Sequence, residues 1–258
     1  MGGVSALPTA AISRAGGILQ SGRTVIVVSG RSSVEEQFLA KKLADTLDVS
    51  TSLVSRVGEG DKILVSADRN PNVRGALVTG LIAELPSQDL TALAAAIDNN
   101  KVTTVLSLGE DLSVAGLSAA QMAKVSIVYL GSHRNATSDA AQVVIPALTV
   151  FEKSGSFVNQ QFRLQKFSKA VPGPSGVADD IASLAGLIAA AGGTPSPSDL
   201  GALWAVIAAE NKTLAGLSHA TLPATGQLLD AAKWAGLLFV EGESLHFKPA
   251  AFVPAATT

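Results

Sequence analysis

The chain contains no cysteine among its 258 residues. That absence removes disulfides, thiolate-ligated iron–sulfur clusters and cysteine nucleophiles together. Histidine is almost as scarce. His133, His219 and His246 lie far apart in sequence, so no local spacing points to a metal site. Aromatic residues make up only 4% against 47% apolar residues, so the expected core is aliphatic. Charged residues are 16% and the formal net charge is -2, which gives no electrostatic case for nucleic acid or anionic lipid. No basic stripe with interleaved aromatics is present either. Long apolar runs are missing as well: Ile181–Ala191 and Leu203–Ala209 are too short to cross a bilayer. Met1–Thr9 lacks the basic segment and apolar stretch of a signal peptide. The mean hydropathy of +0.36 fits a buried, alanine-rich α/β protein, and equally a subunit that gives much surface to partners.

Short apolar runs alternate with segments of helical period. Thr24–Val28 (TVIVV) reads as a buried strand, closed by Ser29 and Gly30. Ser33, with Glu36 three residues on, makes a capping box for the helix that follows. The GxGxxG phosphate loop is absent after this strand. Further strands are expected at Lys62–Ser66, Val102–Ser107, Ser126–Leu130 and Gln142–Ile145. Helices are expected at Leu7–Leu19, Ser87–Asn99, Ser118–Lys124, Gly176–Ala190 and Leu200–Glu210, the last capped by Ser198. Gly226–Ala235 reads as a weaker helix, Glu241–Gly242–Glu243 as the centre of a hairpin, and Lys248–Thr258 as an extended tail. The alternation predicts a doubly wound α/β fold: a largely parallel sheet with helices on both faces, and a shorter, mostly helical C-terminal extension. The expected division is residues 1–192 and residues 193–258, with GGTPSP at Gly192–Pro197 as the break.

The long hydrogen-bonding side chains concentrate in one place. After Val143–Ile145 and Pro146, the stretch Phe151–Gln165 carries Glu152, Lys153, Gly155, Asn159, Arg163 and Gln165. It is either a structural loop pinned against other protein or a ligand-facing one. Glu152, Lys153 and Arg163 suit an ion-pair network; no nucleophile–base pair is visible, so no catalytic residue and no metal ligand is assigned. Asn70, Asn72 and Arg74, after the expected second strand, and His133, after the fourth, are secondary candidates for a crevice at the sheet's carboxyl edge.

The pattern "strand, Pro-Ala, Phe-Glu-Lys-x-Gly-Ser-Phe-x-Asn-x-x-x-Arg-x-Gln" from Val143 to Gln165 resembles the signature loop of the molybdopterin oxidoreductase superfamily. The resemblance is strongest to the C-terminal part of the large iron–sulfur subunit of NADH–quinone oxidoreductase, respiratory complex I. It continues through Pro172–Pro174 and Ala178–Asp180, and weakly back to Val25. Of the family's Asn-x-Glu-Gly-Arg core, Asn159 and Arg163 are kept, while Gln161 and Phe162 replace the acid and the glycine. The resemblance places this loop beside a pterin, where Phe162 is expected to crowd a ligand's approach and leave the cofactor site degenerate.

What the resemblance implies is a non-catalytic structural or accessory subunit of a respiratory NADH–quinone oxidoreductase-like complex. Such a chain is expected to be cytoplasmic, peripheral to the inner membrane through its partner subunits, and without a cofactor of its own. Two alternatives stand beside it. One is a fragment of a molybdopterin-dependent oxidoreductase that completes its site with another chain. The other is a free-standing α/β domain that binds a small molecule in the sheet crevice.

Overall fold

The structure is a computed structural model that describes residues 4–56, 58–59, 65–66, 68–86 and 90–237. In chain order the elements are α1 (Pro8–Ser21), β1 (Thr24–Ser29), α2 (Val34–Leu47), β2 (Ser50–Val54), α3 (Val73–Val78), α4 (Thr91–Asp98) and β3 (Thr104–Leu108). There follow α5 (Ala119–Met122), β4 (Ser126–Gly131), α6 (Ala136–Ala140), β5 (Val143–Pro146), β6 (Gly155–Val158) and β7 (Arg163–Phe167). The last are α7 (Asp180–Ala190), α8 (Leu200–Glu210) and β8 (Gln227–Leu228), with 3-10 turns at Lys212–Leu214 and Ala232–Leu237.

Five strands form one parallel sheet in the order β2-β1-β3-β4-β5. Burial explains the order. β1 and β3 are buried at every position, as central strands covered on both faces must be. β2 and β5 lie at the edges and alternate or fray, with Val144 and Pro146 of β5 turned outward. Alternate strand residues feed two separate cores. Ile26, Val28, Leu106, Leu108, Val128 and Leu130 face one side with residues of α1, α2, α7 and α8. Val25, Val27, Val105 and Ile127 face the other with Leu93 and Ile97 of α4 and Met122 of α5. This is the doubly wound α/β arrangement the alternation predicts.

The differences from the sequence expectation are local. The strand paired with the outer edge of β1 is Ser50–Val54, whose STSLV carries little apolar signal. Of the expected strand Lys62–Ser66, Lys62, Ile63 and Leu64 lie outside the described residues, and Val65 and Ser66 are not in a strand. The polar stretch 151–167 is not an open loop: β6 and β7 pair as a hairpin, and β8 joins β7 in a second, antiparallel sheet. β8 therefore begins where a helix is expected at Gly226–Ala235, and only Ala232–Leu237 turns helically. Helix α8 is capped by Asp199, whose Oδ1 accepts from Ala202 N at 2.9 Å, rather than by Ser198. Helix α7 likewise starts later than expected, at an Asp179 cap. The expected hairpin around Glu241 and the tail Lys248–Thr258 lie outside the described residues.

Candidate functional site

The hairpin is locked onto the helical layer by a set of buried polar contacts. Two consecutive acids open α2, and each is used. Glu35, fully buried, accepts from Ser156 N (3.0 Å), Ser156 Oγ (2.9 Å) and Trp204 Nε1 (2.7 Å). Burial pushes its carboxyl up despite those bonds. Glu36 accepts from the Ser33 amide at 2.8 Å, which completes the capping box, and its other oxygen takes an ion pair from Lys153. Lys153 also reaches Asp180 Oδ2 at 2.5 Å, in the first turn of α7. Asp180 Oδ1 accepts from Leu148 N at 2.8 Å, fixing the chain just after β5. At Gly155 a side chain is excluded, since a Cβ there would sit 2.9 Å from the Phe167 ring and 3.0 Å from Glu35 Oε2. Glu152 closes a turn instead: its Oε2 accepts from Thr149 N and Oγ1, both at 2.8 Å, and these bonds hold its carboxyl below the usual range.

Asn72 is the second anchor. It is fully buried, and its Nδ2 donates to Ser32 O (2.7 Å) and Gln37 Oε1 (3.0 Å) while its Oδ1 accepts from Val158 N (2.7 Å). The loop after β1, helix α2 and strand β6 meet on this one amide.

The turn of the hairpin and the residues before α3 enclose a cleft of about 350 Å³, lined by Asp68, Asn70, Arg74, Asn159, Gln160 and Gln161 among others. Asn70 and Arg74, from one group of sequence candidates, thus meet Asn159, from the other. Asn70 is braced by Arg56 N and O and by Asp68 Oδ1, at 2.6–3.0 Å. Asp68 and Arg74 form a buried pair at 3.7 Å. Burial raises the Asp68 carboxyl and lowers the Arg74 guanidinium. Gln160 Nε2 donates to Ser66 Oγ at 2.9 Å. Asn159 shapes the turn itself, its Oδ1 accepting from Gln161 N (2.9 Å) and Arg163 N (3.0 Å). Arg163 lies on β7 and makes a long contact of 3.4 Å to Gly226 O; Gln165 Oε1 sits 3.4 Å from Asn159 Nδ2.

Phe162 does not crowd this cleft. Its backbone is left-handed at φ 56°, and its side chain is fully buried beneath the hairpin, stacked on Trp234 at 5.2 Å. His133 does not join the cleft: it is exposed, with Nδ1 2.9 Å from Ser132 Oγ. At the reversal of strand order between β1 and β3, Glu110 accepts from Ser29 Oγ and Arg56 Nη2, both at 2.6 Å. Sequence reasoning named Glu36 only as a cap and passed over Glu35, Asp68 and Glu110. Adjacent acids at a helix start read as dipole partners, and nothing local signals their burial.

A family model described as molybdopterin oxidoreductase matches residues 54–188, just over half of the chain. The chain belongs to the molybdopterin oxidoreductase family. No curated protein matches it. The matched span of this molybdopterin oxidoreductase domain runs from the end of β2 into α7, so it contains both walls of the cleft and the whole β6–β7 hairpin. The cleft is lined by a carboxyl and several side-chain amides, group types that pair with the hydrogen-bonding edge of a pterin ring, but Asn70 and Gln160 Nε2 are already bonded to Arg56, Asp68 and Ser66. Gln161 and Gln160 Oε1, on the hairpin turn, are the groups that would meet it. A thiolate for a metal is available nowhere in the sequence, and among the described residues no three His, Asp or Glu converge as ligands.

Proposed function

We propose that this domain serves as a non-catalytic structural subunit of a respiratory NADH–quinone oxidoreductase-like complex, held at the cytoplasmic side of the inner membrane by its partner subunits. One observation carries the reading. The polar groups at the start of the signature hairpin are engaged inside the protein: Lys153 with Glu36 and Asp180, Ser156 with Glu35, Val158 N with Asn72. A segment so committed holds a fold together and leaves little to act on a substrate. The lack of any thiolate supports a scaffold that carries electron-transfer partners without a cluster of its own. Among the described residues no helix is long and apolar enough to cross a membrane, which suits attachment through other chains.

The amide-lined cleft favours a second reading, a molybdopterin-dependent oxidoreductase fragment whose site is completed by another chain. Purification from the native host, with identification of co-purifying chains and metal analysis, separates the two. Respiratory-complex subunits without stoichiometric molybdenum are the expected result. Stoichiometric molybdenum with an organic pterin overturns the scaffold reading and supports the second.

A further inference from the structure

The buried contacts under the hairpin contain more acid than base. Glu36, Asp180 and Lys153 bring two carboxyls to a single ammonium, with side-chain exposures of 8%, 3% and 14%. Both acids touch the same Nζ, Asp180 Oδ2 at 2.5 Å, which sets them beside one another. Two like charges in a buried site resist joint ionisation, which favours a proton on one of them.

Most other charged groups around the site are already committed, and His219 Nε2 lies 3.1 Å from Gly155 O at the start of the hairpin. On α2, Glu35 is bonded to Ser156 and Trp204. On α7, Asp179 caps its own helix through Ile181 N, and Asp199 does the same for α8 through Ala202 N. Glu152 is tied to Thr149. Lys153, Glu152, Lys169, Asp179 and Asp199 all line a cleft of about 420 Å³ that opens to solvent. Lys153, which touches both acids, therefore meets solvent.

We propose that Glu36, Asp180 and Lys153 together bind one exchangeable proton, and that this proton latches the start of the β6–β7 hairpin onto α2 and α7. With the proton on Asp180 the site is neutral: one ammonium, one carboxylate and one carboxylic acid. Without it, Glu36 and Asp180 are both anions on one ammonium, and the repulsion acts on Lys153 and on Leu148 N, two of the attachments of the chain between β5 and β6.

The titration agrees in direction. Burial first, and then Glu36, push Asp180 up to about 8, while Lys153 draws Glu36 below the usual carboxylate range. Lys153 itself is raised by the two acids and stays charged throughout. An acid raised in the folded state binds its proton more tightly there than when unfolded. Its stabilising effect is complete below the unfolded value of 3.8 and is lost as pH rises through about 8.

Thermal unfolding of the full chain from about pH 6 to pH 9, spanning the Asp180 value of about 8, tests the latch on the natural sequence and on Asp180→Asn. The asparagine keeps a neutral hydrogen-bonding group, so its melting temperature should fall less across the window. Glu35, Asp68 and Glu110 are present in both proteins, and only the difference is read. Equal pH profiles overturn the proposal. Should Asp180→Asn fail to fold, site-assigned carboxyl-carbon NMR of the unaltered chain decides. The Asp180 signal should titrate near 8, with the amides of Leu148 and Lys153–Val158 moving at the same midpoint. An ordinary aspartate midpoint, or amides that stay still, overturns it.

Discussion

Phe162 carries two opposing contributions at one position. Its left-handed backbone, φ 56°, costs a non-glycine residue about 1–2 kcal/mol. Its fully buried ring, stacked on Trp234, is worth more: removing a buried phenylalanine to alanine costs about 3–5 kcal/mol. The resemblance puts a glycine at this position, which is what the φ demands; this chain has the left-handed backbone with a ring that fills the space below it. Phe162→Gly should therefore destabilise, yet by about 1 kcal/mol less than Phe162→Ala, because alanine loses the ring and retains the strain. Urea unfolding of the two variants gives the order directly. An alanine variant as stable as the glycine one would show that the turn is not held left-handed. The sequence signal for this residue was its placement in the glycine position; which way its ring turns depends on Trp234, 72 positions along the chain, and was not legible.

Among the elements, legibility follows the apolar run. β1, β3, β4 and β5 are mostly apolar segments, and the sequence places them to within a residue or two. β2 is mostly polar because it is an edge strand, half exposed, and its STSLV has no periodicity to read. The β6–β7 hairpin escaped for another reason. Its strands are four and five residues long, and the third strand of its sheet is a pair of residues some 60 positions later. What stabilises it is not alternation but bonds to buried groups elsewhere, Glu35 and Asn72 among them. Asn72→Ala leaves Val158 N and Ser32 O buried without this partner. Each such group costs about 1–3 kcal/mol, so the variant should lose about 2–6 kcal/mol in chemical denaturation. Loss of less than about 1 kcal/mol would mean that water replaces the amide at this junction. The cleft residues were half legible. Asn70, Arg74 and Asn159 stood out as long polar side chains in an aliphatic chain, whereas Asp68 and Gln160 join them only through the turn geometry.

At the scale of the whole molecule, the residues after the GGTPSP break supply part of the core of the residues before it. Leu203, Trp204, Ile207 and Leu214 are fully buried in the same cluster as Ile26 and Leu39, and Leu222, Leu229 and Trp234 are nearly so. Trp204 also gives Glu35 its indole bond. A chain ended at residue 192 would expose that apolar surface and leave a buried carboxyl with one bonding partner fewer. A fully buried aliphatic or aromatic side chain is worth about 1.5–3 kcal/mol, so losing these together is comparable with the 5–15 kcal/mol typical of a whole domain's stability. Residues 1–192 alone should therefore show no cooperative thermal transition and should elute as aggregates in size-exclusion chromatography, while the 258-residue chain unfolds cooperatively. A soluble 1–192 segment with a sharp transition would show the opposite: that the later residues cover the α/β layers without completing them, and that Trp204 and Trp234 fill a surface the sheet and its helices can close unaided.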